Sequence, residues 1–302
     1  MIKLMETPML ALQLRRSAGD LGDVIYVHGS TFGADLSVFF AFDGRSWADE
    51  LNDAGFNVWG FDFAGYGASE RYPQDDAIPA GRLHDVQAQL HRVVRAVRER
   101  NGGRRVMLLA HSWGGSVAAC YAGEHPQELS ALVLFAPIVT RSAATVAGAY
   151  VPAAAGMASH YPLTAWAQYR RFVEDVPRGQ PQLLSEAHFQ QWSTAFLASD
   201  ADAASRTPPA VLTPAGPQID VRALWSGHAL YDPARIGTPM LLVRGEWDSV
   251  CSDADAVRLL ATLGGSVKVC KTIPRATHLM HLESSRGLLY NAVNDFLLRS
   301  ST

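Results

Sequence analysis

Cysteine is scarce in this chain of 302 residues: Cys120, Cys251 and Cys270 are odd in number, far apart and free of C-x-x-C spacing. That argues against a disulfide framework and a structural zinc site, and the simplest setting for such thiols is a reducing, cytoplasmic one. An excess of one charge is missing too. Lys and Arg number 26 against 29 Asp and Glu, a formal net charge of -3, so the chain lacks the cationic surplus a phosphate backbone demands and nucleic acid is not an expected partner. Long apolar runs are also wanting. The nearest, SAATVAGAYVPAAAGMA at 142–158, is mostly Ala and Gly, contains Pro152 and falls short of the ~20 strongly apolar residues of a membrane span. It reads as helical cap material, and membrane insertion is not expected. The opening MIKLMETPMLALQLRRS has no uninterrupted apolar core before a small-residue cleavage site, so it does not read as a secretory leader. No cluster of His, Cys and Asp has ligand spacing, so neither a metal nor an organic cofactor is expected.

What the sequence does have is material for a large core: 48% of its residues are hydrophobic and 18% charged, the balance of a soluble globular protein. Short β-branched and aromatic runs alternate with segments of helical period. Strands are expected at 9–15, 23–28, 56–62, 105–111, 131–136, 239–244 and 266–272, with helices at 45–54, 81–100, 113–125, 252–263 and 284–299. Such alternation specifies an α/β fold with a mostly parallel central sheet flanked by helices. The rhythm fails between Pro137 and Pro239, where no strand-like run is evident and 207–217 is loop-like by its prolines. The expected organisation is therefore a core of 1–137 and 237–302 with a mainly helical insertion at 138–236. That insertion is rich in aromatics: Tyr150, Tyr161, Trp166, Tyr169, Phe172, Phe189, Trp192, Phe196, Trp225 and Tyr231.

The chemistry gathers at AHSWG, residues 110–114, where an aliphatic run ends and a helix begins. A strand–serine–helix turn exposes the serine Oγ at the sheet edge and crowds the residues two before and two after it, which must be small. Ala110 and Gly114 meet that demand, so this is a G-x-S-x-G elbow with alanine for its first glycine. A serine hydroxyl is a poor nucleophile until a base removes its proton, and that base is usually a histidine held by a carboxylate.

On these motifs the chain resembles the α/β-hydrolases, serine hydrolases of the esterase and lipase type, whose triad runs in the order Ser, Asp or Glu, His. The resemblance implies Ser112 as nucleophile, Asp248 (in LLVRGEWDSV) as acid and His278 (in KTIPRATHLMHLE) as base. Glu246 shares the acid's turn but fits the family spacing less well, and FAPIVTRS, after the strand that follows the elbow, offers no acid. His281, three residues beyond His278, is expected inside the start of the last helix, pointing away. VIYVHGST resembles the family's His-Gly loop, which implies that the backbone N–H groups of Ser30 and Trp113 form an oxyanion hole, with Thr31 the weaker candidate and His28 structural. FDFAGYGASE resembles a family turn in which Asp62, Gly65 and Gly67 are structural.

The activity so implied is hydrolysis of a carboxylic ester, lactone or thioester through an acyl-enzyme. Carbon–carbon hydrolysis of the dienone-cleaving kind and a non-catalytic small-molecule receptor are the alternatives. The aromatic insertion is expected to fold over Ser112 and make a largely apolar pocket. Arg170 and Arg171 are candidates to hold a substrate carboxylate, but adjacent arginines on a helix are more often solvated, so a small to medium apolar or weakly polar substrate is the expected partner. Oligomeric state is not legible.

Overall fold

The structure, a computed structural model, describes residues 1–73, 79–142 and 158–301. The expected helix at 142–158, with Tyr150, lies outside the described residues except at its two ends. Ten strands are described: β1 (Ile2–Leu4), β2 (Leu10–Arg15), β3 (Asp23–Val27), β4 (Asn57–Phe61), β5 (Val106–His111), β6 (Leu129–Phe135), β7 (His160–Thr164), β8 (Ala210–Pro214), β9 (Met240–Gly245) and β10 (Lys268–Ile273). With them run α1 (Trp47–Asp53), α2 (Leu83–Arg100), α3 (Ser112–Glu124), α4 (Ala165–Val173), α5 (Glu186–Ala198), α6 (Gly216–Trp225), α7 (Asp253–Thr262) and α8 (Arg286–Ser300).

Eight strands form one sheet in the order β1-β2-β4-β3-β5-β6-β9-β10. The pairings from β4 to β10 are parallel, and the β1–β2 and β2–β4 pairings are antiparallel. Side chains alternate across it with the period of two that a strand imposes. Leu108 and Ala110 of β5 face the cluster that holds α2 and α3, while Met107 and Leu109 face the one that holds α1 and α8. Both faces are thus covered, as a parallel sheet requires. The short β1 was not legible, since three residues show no period. Helix α1 starts one residue after Ser46, whose hydroxyl accepts from Asp49 N–H while Asp49 accepts from Ser46 N–H, a reciprocal cap.

The stretch between β6 and β9 departs from expectation in containing two strands. β7 and β8 pair antiparallel from His160↔Pro214 to Thr164↔Ala210, and the ladder is closed at its base by Ala215 N–H donating to Ser159 O (2.9 Å). Each strand carries a proline, which a two-stranded ribbon tolerates on its outer edges but which masks the strand pattern in sequence. Helices α4 and α5 sit between these strands. Their Phe172, Trp192 and Phe196 form one apolar cluster with Phe32 and Leu36 of the loop after β3 and Leu279 and Leu282 of the loop after β10. This cluster seats the segment beside the loops that follow the strand ends.

Candidate active site

At the end of β5 the chain turns straight into α3, and Ser112 takes a left-handed backbone with φ +54°. That conformation is strained for a residue with a side chain, and close packing holds it. A Cβ on Gly114 would fall 2.1 Å from His28 O, so only glycine lets α3 approach the loop after β3. Ala110 is fully buried beneath the turn, which accepts its methyl. Beyond the elbow, Ile138 N–H donates to Ser112 O (3.1 Å) and Ser116 Oγ donates to Ile138 O (2.7 Å).

The structure brings together the three residues implied by the family order. Ser112 Oγ lies 2.9 Å from His278 Nε2, and His278 Nδ1 lies 3.2 Å from each Asp248 oxygen. All three are buried. Asp248 Oδ1 also accepts from Val250 N–H (2.9 Å) and Cys251 N–H (3.0 Å), so its carboxylate is fixed by its own loop. A Cβ on Gly245 would lie 2.3 Å from Ala276 O, and this close approach lets the loops after β9 and β10 meet. Glu246, the rival acid, is exposed and accepts from Arg275 N–H (2.8 Å) instead.

His281 corrects the expectation that it opens the last helix. α8 begins only at Arg286, and His281 sits in the preceding turn, its ring 4.5 Å from that of His111. It is fully buried without a hydrogen-bond partner for either nitrogen among the described residues, and burial pushes its pKa down to about 3. Two further neighbours went unread in the sequence. His111 Nε2 lies 3.0 Å from His278 O, and burial, then the nearby His281 and His278, hold the His111 pKa well below the ordinary range. Glu283, fully buried, accepts from Thr277 N–H (3.0 Å) and bonds the Thr277 hydroxyl; burial raises its pKa to about 7. A charged residue amid Leu279, Met280 and Leu282 was the one available signal for Glu283.

The loop after β3, where the sequence places the expected oxyanion donor Ser30, is pinned from two sides. His28 Nδ1 lies 2.7 Å from Gly29 O and its Nε2 accepts from Phe63 N–H (3.0 Å), while Tyr66 hydroxyl donates to Ser30 O (2.8 Å). Burial drops the His28 pKa to about 4, so it is a neutral, satisfied core histidine. Asp62 holds the adjoining turn by accepting from Ala34 N–H (2.8 Å) and Ala68 N–H (3.4 Å); Gly67 and Gly65 complete it at positive φ. Trp113 N–H lies in the first turn of α3, where backbone donors have no intrahelical acceptor, and no side chain caps that end.

A cavity of about 30 Å³ opens at Ser112. Ser30, Thr31, Phe32, His278, Gln168 and Arg171 are among its described lining residues. It is small and half polar, unlike the roomy apolar pocket the sequence suggested. The aromatics of α4 and α5 pack mostly on one another. At the other end of α3, donor atoms of His91, His125 and Glu128 approach within 4.8 Å of one another, but Glu128 is already ion-paired with Arg98 (3.0 Å) and bonded by Tyr121 hydroxyl. No helix among the described residues is long and apolar enough to cross a membrane.

The eight-stranded sheet, its elbow and the order of the loops around it define an α/β-hydrolase of the esterase and lipase-like kind. More narrowly, the chain belongs to the family described as serine aminopeptidase, S33, matched over residues 43–285. No curated protein matches it in sequence. Among solved structures it is similar to a monoacylglycerol lipase of Paleococcus ferrophilus, at 18% identity and TM-score 0.60 over 96% of this chain and 99% of that one. A thermophilic esterase from Thermogutta terrifontis aligns at 18% identity and TM-score 0.61, covering 100% and 99%. A soluble variant of monoglyceride lipase from Saccharomyces cerevisiae aligns at 15% and 0.65, covering 99% and 94%. At these identities the likeness is one of fold.

Proposed function

We propose that the protein is a serine hydrolase acting on a small carboxylic ester, thioester or lactone through an acyl-enzyme. The observation that carries the reading is the contact chain from Ser112 Oγ to His278 Nε2 (2.9 Å) and on from His278 Nδ1 to Asp248 (3.2 Å). In the first half-reaction His278 Nε2 takes the Ser112 proton as Oγ attacks the carbonyl. The resulting oxyanion is held by Ser30 and Trp113 N–H, the latter at the positive end of α3. The tetrahedral intermediate then collapses, the C–O or C–S bond breaks, and His278 returns the proton to the leaving alcohol or thiol. In the second half, His278 deprotonates a water that attacks the acyl-enzyme; the acid departs and Ser112 regains its proton. Asp248 accepts the His278 Nδ1–H throughout and offsets the charge of the imidazolium. These steps balance without a cofactor.

In this reading residues 1–137 and 237–302 are the catalytic core, and 138–236 form the cap that bounds the substrate site. An aminopeptidase activity, which the family description raises, fits less well: a substrate α-ammonium wants a carboxylate nearby, whereas the described lining of the cavity offers Arg171 and no acid. The test is a panel of small esters, thioesters, lactones, dienones and aminoacyl arylamides, with fluorophosphonate labelling of Ser112. Ester or thioester turnover is expected, with Ser112→Ala and His278→Ala each losing on the order of 10⁴-fold or more and His281→Ala far less. Turnover of arylamides or dienones alone would replace the reading, and labelling without any turnover would make the protein a receptor.

A further inference from the structure

The chemistry above makes no use of two polar groups that face Ser112 from α4. Gln168, Arg171 and Phe172 stand at spacings of three and four and so share one helix face. Phe172 enters the apolar cluster, whereas Gln168 and Arg171 line the cavity. Gln168 is only 1% exposed, and its Nε2 is buried with no hydrogen-bond partner among the described residues. An amide donor left so carries the desolvation penalty of an unmade hydrogen bond, which a ligand acceptor would recover. Arg171 supplies a fixed positive charge and a planar fork of donors suited to a carboxylate. Its one described ion pair, Nε to Glu174 Oε1 at 3.0 Å, is about two-fifths exposed on both sides. Such a pair is weak and leaves the two terminal nitrogens for another partner. The neighbouring Arg170 is exposed and does not line the cavity.

Size narrows the ligand further. The 30 Å³ of the cavity is room for two or three waters at roughly 10–15 Å³ each, so only a short group fits between Ser112 and the α4 side chains. We propose that this is a carboxylate subsite, and that the substrate is the monoester or monothioester of a short dicarboxylic acid, its free carboxylate held by Arg171 and Gln168 Nε2. The inference rests on the hydrolase reading. Water is consumed, the ester C–O or thioester C–S bond breaks, the alcohol or thiol leaves, and the dicarboxylate is released. Because the anchored carboxylate belongs to the acyl half, it holds the acyl-enzyme as well as the bound ester.

The test compares kcat/KM for monoethyl succinate and for ethyl 4-methylpentanoate, in which an isopropyl group replaces the carboxylate at similar size. The wild type is expected to favour the charged ester at least tenfold. Arg171→Met should lower that ratio at least tenfold, Arg171→Lys should retain part of it, and Gln168→Leu should lower it several-fold. Arg170→Met removes the same charge from the adjacent exposed position and should leave the ratio as it was. A wild type that turns over the neutral ester equally well or better overturns the carboxylate subsite alone, as does a ratio that Arg171→Met leaves intact or that Arg170→Met lowers equally. No turnover of either ester overturns this inference, and if Ser112 is also not labelled the hydrolase reading falls with it.

Discussion

Glu283 carries a carboxyl into a place where its charge is poorly supported. It faces the Thr277 hydroxyl and N–H, with Asp248 and Asp175 the acidic groups near it, and burial outweighs the two donors, raising its pKa from 4.5 to about 7. Between those two values the folded state holds a proton that the unfolded state has released, so stability falls as pH rises from 4.5 to 7 and levels off above. One pKa unit corresponds to about 1.4 kcal/mol, which makes the loss on the order of 3 kcal/mol. Glu283→Gln keeps an oxygen to accept from Thr277 but cannot ionise. Urea unfolding at pH 5 and pH 8 should therefore show a smaller pH-dependent loss in the variant than in the wild type, by up to that amount. An identical loss in both proteins would place the burden on other groups. The same residue marks a limit of sequence reading. Ser112, Asp248 and His278 were legible because family order and loop position pick them out. His111, at the end of β5, was not, because its partner His278 O comes from the loop after β10; nor were Glu283 and the setting of His281, because the turn before α8 is shaped by specific hydrogen bonds, Thr277 N–H to Glu283 and Ser284 N–H to Leu183 O at 2.7 Å.

At the level of elements, α6 shows how a segment outside the catalytic loops supports the elbow. Asp220 accepts from Arg82 Nε (2.5 Å), Leu83 N–H (2.6 Å) and Trp113 Nε1 (3.1 Å), tying α6 to the start of α2 and to the first turn of α3. Asp220→Ala leaves all three donors unmatched. Because Arg82 retains some access to solvent, the cost should fall below the 3–5 kcal/mol of a fully buried pair, at about 2 kcal/mol. Chemical unfolding measures it, and a loss below about 0.5 kcal/mol would mean that water replaces the carboxylate. Element positions in the core were readable because the unbroken apolar runs of β3 and β5, buried on both faces of the sheet, and the helical period of α2 reflect burial. On α4 that logic inverts. Trp166 is 67% exposed while Gln168 is 1% exposed, so hydropathy points the helix the wrong way, and neither the burial of Gln168 nor the choice of Arg171 over Arg170 was legible.

For the molecule as a whole, the mostly parallel sheet and its two covered faces follow from the alternation of strand and helix segments in the sequence, whereas the shape of the substrate site depends on a segment packed by few periodic cues. The ladder of β7 and β8 has a consequence for how that segment could be exchanged. Since Ser159 and Ala215 meet at its base, the 160–214 stretch departs and returns at one point, like a drawer with a single runner. It can be cut there and another enzyme's counterpart spliced in with no change of span, whereas a cut that includes α6 would sever the struts at Asp220. Grafts confined to 160–214 should melt cooperatively and still react with a fluorophosphonate at Ser112, while grafts extended through residue 225 should not. A confined graft that fails to fold would show that Phe32, Leu36 and Leu279 need α4 and α5 above them. If it folds, the choice of substrate is inherited separately from the means of cleaving it, and new selectivities can be drafted onto an unchanged chassis.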